Sequence, residues 1–361
     1  MTEVVLVTGV SRYLGGGFAR LLSSARLAKR VIGVDVIPPP HDIGSAEFVR
    51  ADIRNPMIGK IIAQADVDTV VHLNVIATPV SAGGRVSQKE INVIGTMQLL
   101  AACQKAPSVR RLVVKSSAAV YGASPRDPAL FTEEMTPSSL PRAGFGKDSV
   151  EVEGYVRGFS RRRPEVQVCL LRLANIVGPG IRTSLTDYFT LPVIPVPFGY
   201  DARLQLLHER DALQALLLAT SGPASGVVNV AGDGVISLQQ ATRLAGRPTV
   251  PVPLHAGGLL GQFIRRAGLA DFSADQMAYL AFGRGLDTTR MRSVLGLEPQ
   301  FSTRAAFEDF AAHACGGLPG SGVVGSVGST IGPLVGSLVD GLAGSAAGVL
   351  SHALASGRGD R

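Results

Sequence analysis

The stretch Thr8-Gly9-Val10-Ser11-Arg12-Tyr13-Leu14-Gly15 decides the fold. The apolar residues before it, 4–7, predict a strand that is buried on both faces. Phe18, Leu21 and Leu22 follow at helical spacing and predict a helix. A strand, a glycine turn and a helix in this order bring backbone N–H groups and a helix N-terminus to a diphosphate. The stretch therefore predicts a dinucleotide-binding turn, in which Arg12 stands where a glycine is expected.

The sequence after this turn alternates between strand-like and helix-like segments. Further apolar strand segments are predicted at residues 30–35, 47–50, 69–73, 111–115 and 166–173. Such alternation predicts a parallel sheet with right-handed crossovers and helices on both faces. We expect a Rossmann-like, doubly wound α/β sheet at residues 1–180, which binds the dinucleotide. A smaller mixed substrate lobe at 181–315 interleaves with it, and a glycine-rich tail follows at 316–361.

The composition limits the class of partner. The 361 residues carry a net charge of +7, and the densest basic run is Arg161-Arg162-Arg163. Aromatic residues make up 5% of the chain and tryptophan is absent, so the sequence offers no stacking platform for single-stranded nucleic acid. We therefore expect no nucleic-acid partner, and we interpret the arginines as a solvated surface that attracts anionic ligands.

The cysteines and the N-terminus indicate the compartment. Cys103, Cys169 and Cys315 are widely spaced, and the first two lie in apolar runs. This pattern predicts reduced thiols and neither a disulfide framework nor a metal site. The chain enters a predicted strand at once, without the pattern of a signal peptide, so we expect a cytoplasmic protein.

The tail, residues 316–361, is rich in small residues. Gly328, Gly332 and Gly336 recur four residues apart, and apolar residues between them follow helical spacing. One interpretation is an element that lies on a membrane or on a partner protein. The other is a flexible extension, because each glycine costs a helix about 1 kcal/mol relative to alanine.

An acidic residue, Asp35, ends the second predicted strand. An acid about twenty residues past the glycine turn accepts hydrogen bonds from the hydroxyls of the adenosine ribose. The same carboxylate would repel a 2′-phosphate, so Asp35 favours NAD over NADP. The alternative interpretation is a surface aspartate that ends a strand.

Several further motifs follow in order along the chain. They are Asp52-Ile53, His72-Leu73-Asn74-Val75, Asn92 with Gly95 and Thr96, residues 116–122, residues 172–179, and His208 with Asp211 and Ala212. With the glycine turn they resemble, over residues 3–312, the extended short-chain dehydrogenase/reductase family. Within that family the chain is most similar to the NAD-dependent nucleotide-sugar epimerases and dehydratases, such as UDP-glucose 4-epimerase. The resemblance implies NAD as cofactor, a nucleotide sugar as substrate, and a homodimer formed through helices that include the one carrying Lys147.

The resemblance also assigns roles to single residues. The implied cofactor contacts come from the glycine turn, the strand ends and a lysine: Thr8, Gly9, Arg12, Leu14, Gly15, Asp35, Asp52, Ile53, Leu73 and Lys147. Ser117 and Lys147 are the implied catalytic residues, and Asn175 lines the implied substrate pocket.

Arg12 is the first departure from the family pattern. It replaces the middle glycine of T-G-x-x-G-x-x-G, which lets the cofactor approach the backbone closely. A guanidinium at this position can pair with the diphosphate, or it can fill the site and exclude the dinucleotide.

The second departure concerns the family's Y-x-x-x-K pattern, in which the lysine holds the nicotinamide ribose and lowers the pKa of the tyrosine, so that the phenol can exchange a proton with the sugar. Lys147 is present, but Ala143 lies four residues before it. Losing a general acid or base typically costs about 10²–10⁴-fold in rate. Glu133, Glu134 and Asp148 are alternative bases.

Three functions follow from this sequence. The first is an NAD-dependent epimerase or dehydratase that acts on a nucleotide sugar. The second is a non-catalytic, dinucleotide-binding sensor or scaffold of the same fold. The third is an interaction protein whose tail carries the function. We expect Ala143→Tyr to raise any epimerase activity.

Overall fold

The computed structural model describes residues 2–78, 82–137, 140–141, 144–254 and 274–315. Met1–Gly316 forms one compact unit. The second unit, Gly317–Arg361, lies outside the described residues, and so do the predictions made for the tail. Within the described ranges, no helix is long and apolar enough to cross a membrane.

The first six strands follow the predicted segments closely. In chain order the strands are β1 (Thr2–Thr8), β2 (Ala28–Asp35), β3 (Glu47–Arg50), β4 (Thr69–His72), β5 (Arg111–Ser117), β6 (Gln167–Leu173), β7 (Asn175–Val177), β8 (Ile194–Pro197), β9 (Arg203–Leu204), β10 (Leu206–His208), β11 (Gly226–Val230), β12 (Ile236–Ser237) and β13 (Thr249–Val252). Seven of them form one sheet in the order β11-β6-β5-β4-β1-β2-β3. Every neighbouring pair in this sheet is parallel.

Some of the helices cover the two faces of this sheet, and others pack in a smaller core formed by the later part of the chain. In chain order the helices are α1 (Tyr13–Ser24), α2 (Met57–Gln64), α3 (Arg85–Lys89), α4 (Thr96–Lys105), α5 (Gly144–Arg162), α6 (Ser184–Phe189), α7 (Glu209–Ser221), α8 (Leu238–Leu244), α9 (Ala274–Phe282), α10 (Thr289–Ser293) and α11 (Thr303–Ala314). A π-helical turn, Glu90–Gly95, joins α3 to α4, and a 3₁₀ turn, Ala118–Tyr121, follows β5. The predicted Rossmann-like, doubly wound α/β fold is confirmed.

The strand β1 shows why the apolar run folds as it does. Val5 and Val7 lie in the cluster under α1 and α7, whereas Leu6 lies in the cluster under α2, α4 and α5. All three side chains have no exposed surface. A strand with a helix layer on each face needs such an uninterrupted apolar sequence.

A second, smaller core lies beyond residue 180. Tyr188, Phe189, Phe307 and Phe310 lie in it and are almost completely buried. The main sheet nevertheless takes its edge strand, β11, from this later part of the chain, and α7 packs against α1. The boundary between residues 180 and 181 stays a prediction.

Candidate dinucleotide and substrate site

The glycine turn connects β1 to α1 at the carboxyl edge of the sheet. Gly9 has a φ of +81°, a left-handed conformation that favours glycine. A Cβ on Gly15 would lie 2.1 Å from the carbonyl oxygen of Gly9, so the turn closes only with glycine there. Because the first N–H groups of a helix have no acceptor within it, those of Tyr13 and Leu14 are available to an anion. This geometry fits a diphosphate.

Thr8 and His72 lock the ends of β1 and β4 together. The Thr8 hydroxyl accepts hydrogen bonds from the backbone N–H groups of Leu73 (3.2 Å) and Asn74 (3.3 Å), so it donates its own proton to Nδ1 of His72 (2.8 Å). Nε2 of His72 then donates to the hydroxyl of Thr96 (2.8 Å). Burial lowers the pKa of His72 to about 3, and the nearby Lys115 ammonium acts in the same direction. The imidazole is therefore neutral and fixes the loop that carries Leu73.

Asp35 lies where the second strand meets the glycine turn. Its carboxylate accepts hydrogen bonds from the hydroxyl (2.5 Å) and the N–H (3.1 Å) of Ser11, and from the N–H of Val36 (2.8 Å). The residue is only 5% exposed. The structure thus brings Asp35 to the predicted position, but a ribose hydroxyl would have to share the carboxylate with Ser11.

The predicted adenine contacts lie one strand further out. Asp52 pairs with Arg54 at 2.6 Å, and this pairing holds the pKa of Asp52 below its usual range. Ile53 is 2% exposed and packs against Gly95, where a Cβ would lie 2.7 Å from the Ile53 side chain. Ile53 therefore belongs to the core under α4, and the adenine contact stays a prediction.

Two partly buried cations, Lys115 and Arg12, lie toward the carboxyl edge of the sheet. Lys115, near the end of β5, donates a hydrogen bond from its ammonium to the carbonyl oxygen of Val75 (2.7 Å). Burial, together with the smaller effect of the positive charge of Arg12, lowers the pKa of Lys115 to about 8. Burial also lowers the pKa of Arg12, against the opposing effect of Asp35. Lys115 was not among the predicted site residues, although a lysine directly after the apolar run 112–114 is visible in the sequence.

A second contact joins the glycine turn to the later part of the chain. The hydroxyl of Tyr13 donates to Glu209 (2.6 Å). The same carboxylate accepts the N–H groups of Gly180 (3.0 Å) and Ile181 (2.8 Å). Glu209 thereby holds the loop after β7 against the N-terminus of α1, a link that the sequence analysis did not predict.

Ser117 lies at the carboxyl end of β5, as expected. Its hydroxyl accepts the N–H of Ala119 (3.1 Å) and caps the 3₁₀ turn. A hydroxyl has one proton to donate, so this cap leaves the Ser117 proton available to a ligand.

The register of α5 turns Lys147 away from this site. The Lys147 ammonium lies 3.9 Å from Glu151, and its side chain is 45% exposed. Ser149 and Glu153 are almost fully buried, and the Glu153 carboxylate accepts a hydrogen bond from Ser116 (2.7 Å) beside Ser117. Residues four apart share one helix face, so Phe145, Ser149 and Glu153 face the end of β5. The expectation that Lys147 lines the site does not agree with this register. Ala143 lies outside the described residues.

The three alternative bases have different environments. Glu133 accepts the N–H of Asn229 (2.8 Å), and burial raises the pKa of its carboxyl. Asp148 is fully buried and pairs with the guanidinium of Arg85. Glu134 is exposed. Glu133 and Asp148 are each hydrogen-bonded to the partners just named. Neither carboxylate therefore serves as a free base at Ser117.

The expected substrate side brings together residues from both sides of the predicted boundary. Asn175 begins β7, and the hydroxyl of Tyr279 from α9 lies beside it. Arg284 donates from Nε to the carbonyl oxygen of Gly122 (2.6 Å), and its guanidinium lies 5.1 Å from the centre of the Tyr279 ring. An amide, a phenol and a guanidinium therefore converge beyond the end of β5.

Comparison with known proteins agrees with this geometry. The sequence profile of the NAD dependent epimerase/dehydratase family matches residues 5–231. The chain belongs to this family. The predicted family and its dependence on NAD are therefore confirmed.

Among the relatives, an uncharacterized protein of Mycobacterium tuberculosis (strain H37Rv) is 50% identical over 312 residues, which are 85% of this chain and 83% of that protein. MoeE5, solved with UDP-glucose and NAD, matches with a TM-score of 0.66 and 23% identity over 86% of this chain and 98% of its own. UDP-glucuronic acid 4-epimerase from Bacillus cereus, solved with UDP-glucuronic acid and NAD, has a TM-score of 0.66 and 18% identity, and the match covers 86% of this chain and 99% of that chain. At these identities, the two comparisons show that each solved structure shares its fold with this chain.

Proposed function

We propose that this member of the epimerase/dehydratase family binds NAD but does not carry out the tyrosine- and lysine-dependent proton transfer. It then acts as a dinucleotide-binding sensor or scaffold. The register of α5 carries this proposal. The helix face toward Ser117 presents Phe145 and Ser149, and neither side chain exchanges a proton near neutral pH.

The residues that would hold NAD are already ordered. The glycine turn and the N-terminus of α1 would bind the diphosphate, and Asp35 the adenosine ribose. Leu73 lies in the loop fixed by Thr8 and His72, next to the expected place of the second ribose. Bound NAD supplies a hydride acceptor. The side chains described near Ser117 supply no free base to accompany it.

A second candidate is binding, with slow turnover, of a nucleotide sugar. The convergence of Asn175, Tyr279 and Arg284 favours it. Burial raises the pKa of the Tyr279 hydroxyl, so this phenol is a donor and not a base near neutral pH. Arg284 would pair with a phosphate of the nucleotide, and Asn175 would hydrogen-bond the sugar.

Two measurements separate these functions. Titration with NADH, followed by nicotinamide fluorescence, should give a saturable signal. Incubation with UDP-glucose or UDP-glucuronic acid in the presence of NAD should give no epimer on product analysis. Absence of saturable NADH binding would overturn the first proposal, and turnover by the unmodified protein would establish the second.

The register itself can be tested by restoring the missing pair. We expect the double variant Phe145→Tyr/Ser149→Lys to gain epimerase activity, because a positioned acid and base contribute about 10²–10⁴-fold. Ala143→Tyr, which pairs by spacing with Lys147, is the matched control and should gain nothing. A gain in Ala143→Tyr alone would show that the sequence spacing was right and that our register argument is wrong.

We also propose a homodimer through α4 and α5 and a cytoplasmic location. Exposed apolar side chains on the outer face of these helices, Met97 and Tyr155, support the dimer. Cys103, Cys169 and Cys315 are free, buried thiols, which supports a reducing compartment.

A further inference from the structure

The 178–184 segment, which leads from β7 into α6, contacts two loops at the carboxyl edge of the main sheet. Gly180 lies against the ring of Tyr13, in the turn between β1 and α1. The hydroxyl of Ser184 lies 3.4 Å from that of Thr78, in the loop after β4. The segment therefore spans the carboxyl ends of β1 and β4, where the ligands of an open α/β sheet bind.

Glu209, the first residue of α7, holds this segment in place. One oxygen of its carboxylate accepts the Tyr13 hydroxyl (2.6 Å), and the other accepts the backbone N–H groups of Gly180 (3.0 Å) and Ile181 (2.8 Å). The residue is only 4% exposed. Because a buried carboxylate is costly without its donors, the bond to the turn and the bonds to the segment support each other.

The sequence of the segment leaves room for this contact. A Cβ on Gly180 would lie 2.4 Å from the Tyr13 ring, and a Cβ on Gly178 would lie 2.6 Å from the carboxyl carbon of Glu209. Side chains at these two positions would push the segment away from Tyr13 and Glu209. The two glycines therefore fit the segment to this pair.

Tyr13 links the pair to the expected ligand through its main chain. It is the first residue of α1, and its N–H is one of those available to an anion at the start of the helix. Its hydroxyl ends at Glu209. The same residue thus meets the expected diphosphate with its main chain and, through Glu209, the 178–184 segment with its side chain.

We propose that Tyr13 and Glu209 transmit dinucleotide occupancy from the glycine turn to the 178–184 segment. This inference rests on the proposed binding of NAD and gives the sensor a part that responds to its ligand. A dinucleotide that holds the start of α1 also holds the Tyr13 hydroxyl against Glu209, which stabilises the bonds to Gly180 and Ile181. The coupling is reciprocal, so the segment in its observed place strengthens dinucleotide binding by the same factor.

Hydrogen exchange followed by mass spectrometry measures this coupling, because Glu209 binds the exchanging N–H groups of Gly180 and Ile181 themselves. In the unmodified protein, saturating NADH should slow exchange in residues 178–183 by about 5-fold to 150-fold, the usual range of coupling between two sites. Tyr13→Phe keeps the ring and removes the hydroxyl. This variant should still bind NADH, but the slowing should be lost.

Glu209→Gln gives an independent variant. Its amide NH₂ is a donor that must face either the Tyr13 hydroxyl or the two backbone N–H groups, so one side of the contact is broken. We expect the same loss of slowing, and the double variant with Tyr13→Phe should lose no more than either single variant. Tyr200→Phe is the matched control: Tyr200 is 41% exposed, as Tyr13 is, and contacts Phe282, so the slowing should remain.

The affinity for NADH provides a quantitative check. By reciprocity, Tyr13→Phe should weaken NADH binding by no more than the factor by which NADH slows exchange in the unmodified protein. A larger loss of affinity would mean that the hydroxyl acts on the ligand directly, and would overturn the proposed transmission.

The outcomes distinguish the two proposals. If the unmodified protein does not bind NADH, the proposed function fails and this inference fails with it. If it binds NADH but exchange in residues 178–183 does not slow, only the transmission is wrong. Slowing that persists in full in Tyr13→Phe would also overturn it, and this variant decides the question if Glu209→Gln folds poorly.

Discussion

His72 joins three elements through a side chain that is almost completely buried. Its two ring nitrogens bond Thr8 at the end of β1 and Thr96 at the start of α4, and Thr96 donates onward to the carbonyl oxygen of Asn92 (2.5 Å). In this series of hydrogen bonds the hydroxyls of Thr8 and Thr96 each donate one bond and accept at least one. The neutral form of the His72 imidazole is therefore required by the fold. Protonation of His72 would make Nδ1 an N–H donor that faces the Thr8 hydroxyl, which already donates its own proton to that nitrogen.

This arrangement predicts a specific pH dependence of stability. The pKa of His72 is about 3 in the folded chain and near 6.5 when unfolded, so between these values the unfolded chain binds the additional proton. The contribution to the free energy of unfolding is therefore present above pH 6.5 and decreases as the pH falls toward 3, by at most about 1.4 kcal/mol per pH unit.

Urea unfolding of the unmodified protein and of His72→Phe at pH 7.5 and pH 5 measures this contribution. At pH 7.5 the variant should be less stable by about 1–3 kcal/mol, because Thr8 and Thr96 lose a partner. At pH 5 the difference should shrink, since the phenylalanine cannot bind a proton. An equal difference at both pH values would contradict a buried neutral imidazole.

Among single residues, the sequence allowed us to predict those that the turn between β1 and α1 requires. Gly9, Gly15 and Asp35 were identified because conformation and spacing restrict what can stand there. Lys115 was missed because its hydrogen-bond partner, Val75, is forty residues away in sequence and is brought to it only by the pairing of β4 with β5. Spacing along the chain carries no information about such neighbours.

The ion pair between Glu153 and Arg172 is buried and ties α5 to the sheet. Glu153 accepts hydrogen bonds from Nε (2.9 Å) and Nη2 (2.7 Å) of Arg172 on β6, and a third from Ser116 on β5. Arg172 also donates to the hydroxyl of Tyr121 (2.7 Å) and the carbonyl oxygen of Glu133 (3.0 Å). The pair therefore fixes both the rotation of α5 and the segment that follows the 3₁₀ turn.

Breaking this pair should be costly. We expect Glu153→Gln to lower the free energy of unfolding by about 3–5 kcal/mol, because it leaves the Arg172 guanidinium buried without its counter-charge. Glu308→Gln is the matched control: it breaks an exposed pair with Arg304 and should cost less than about 0.5 kcal/mol. Urea unfolding of both variants gives the comparison, and equal losses would mean that the Glu153–Arg172 pair does not fix α5.

The presence of α5 could be predicted from sequence, but its rotation could not. A helix that carries Lys147 was expected, and it is found at Gly144–Arg162. Lys147 followed by Glu151 fits the family spacing, but a second acid, Glu153, lies two residues further on. Arg172 forms its ion pair with Glu153, and this pairing sets the rotation of α5. The partner that decides the register comes from the next strand, which the local pattern does not include.

At the scale of the whole molecule, the described part of the chain exposes apolar side chains along α4 and α5. Ile94, in the π-helical turn before α4, Met97 on α4 and Tyr155 on α5 are each about two-fifths exposed. Gly154 precedes Tyr155 in the middle of α5, and a Cβ there would meet nothing within 4 Å. A mid-helix glycine costs about 1 kcal/mol relative to alanine, so its presence on an open face is explained if a second subunit approaches closely.

The proposed homodimer can be tested at this glycine. Gly154→Arg has room for its side chain in the single subunit, so the variant should fold, but the arginine should occupy the space of the second subunit and give a monomer. Gly154→Ala is the matched control, because it should keep the dimer and raise the melting temperature by improving the helix. Light scattering after size-exclusion chromatography gives the mass of each variant. A Gly154→Arg protein that remains dimeric, or an unmodified protein that is already monomeric, would show that this face is not the interface.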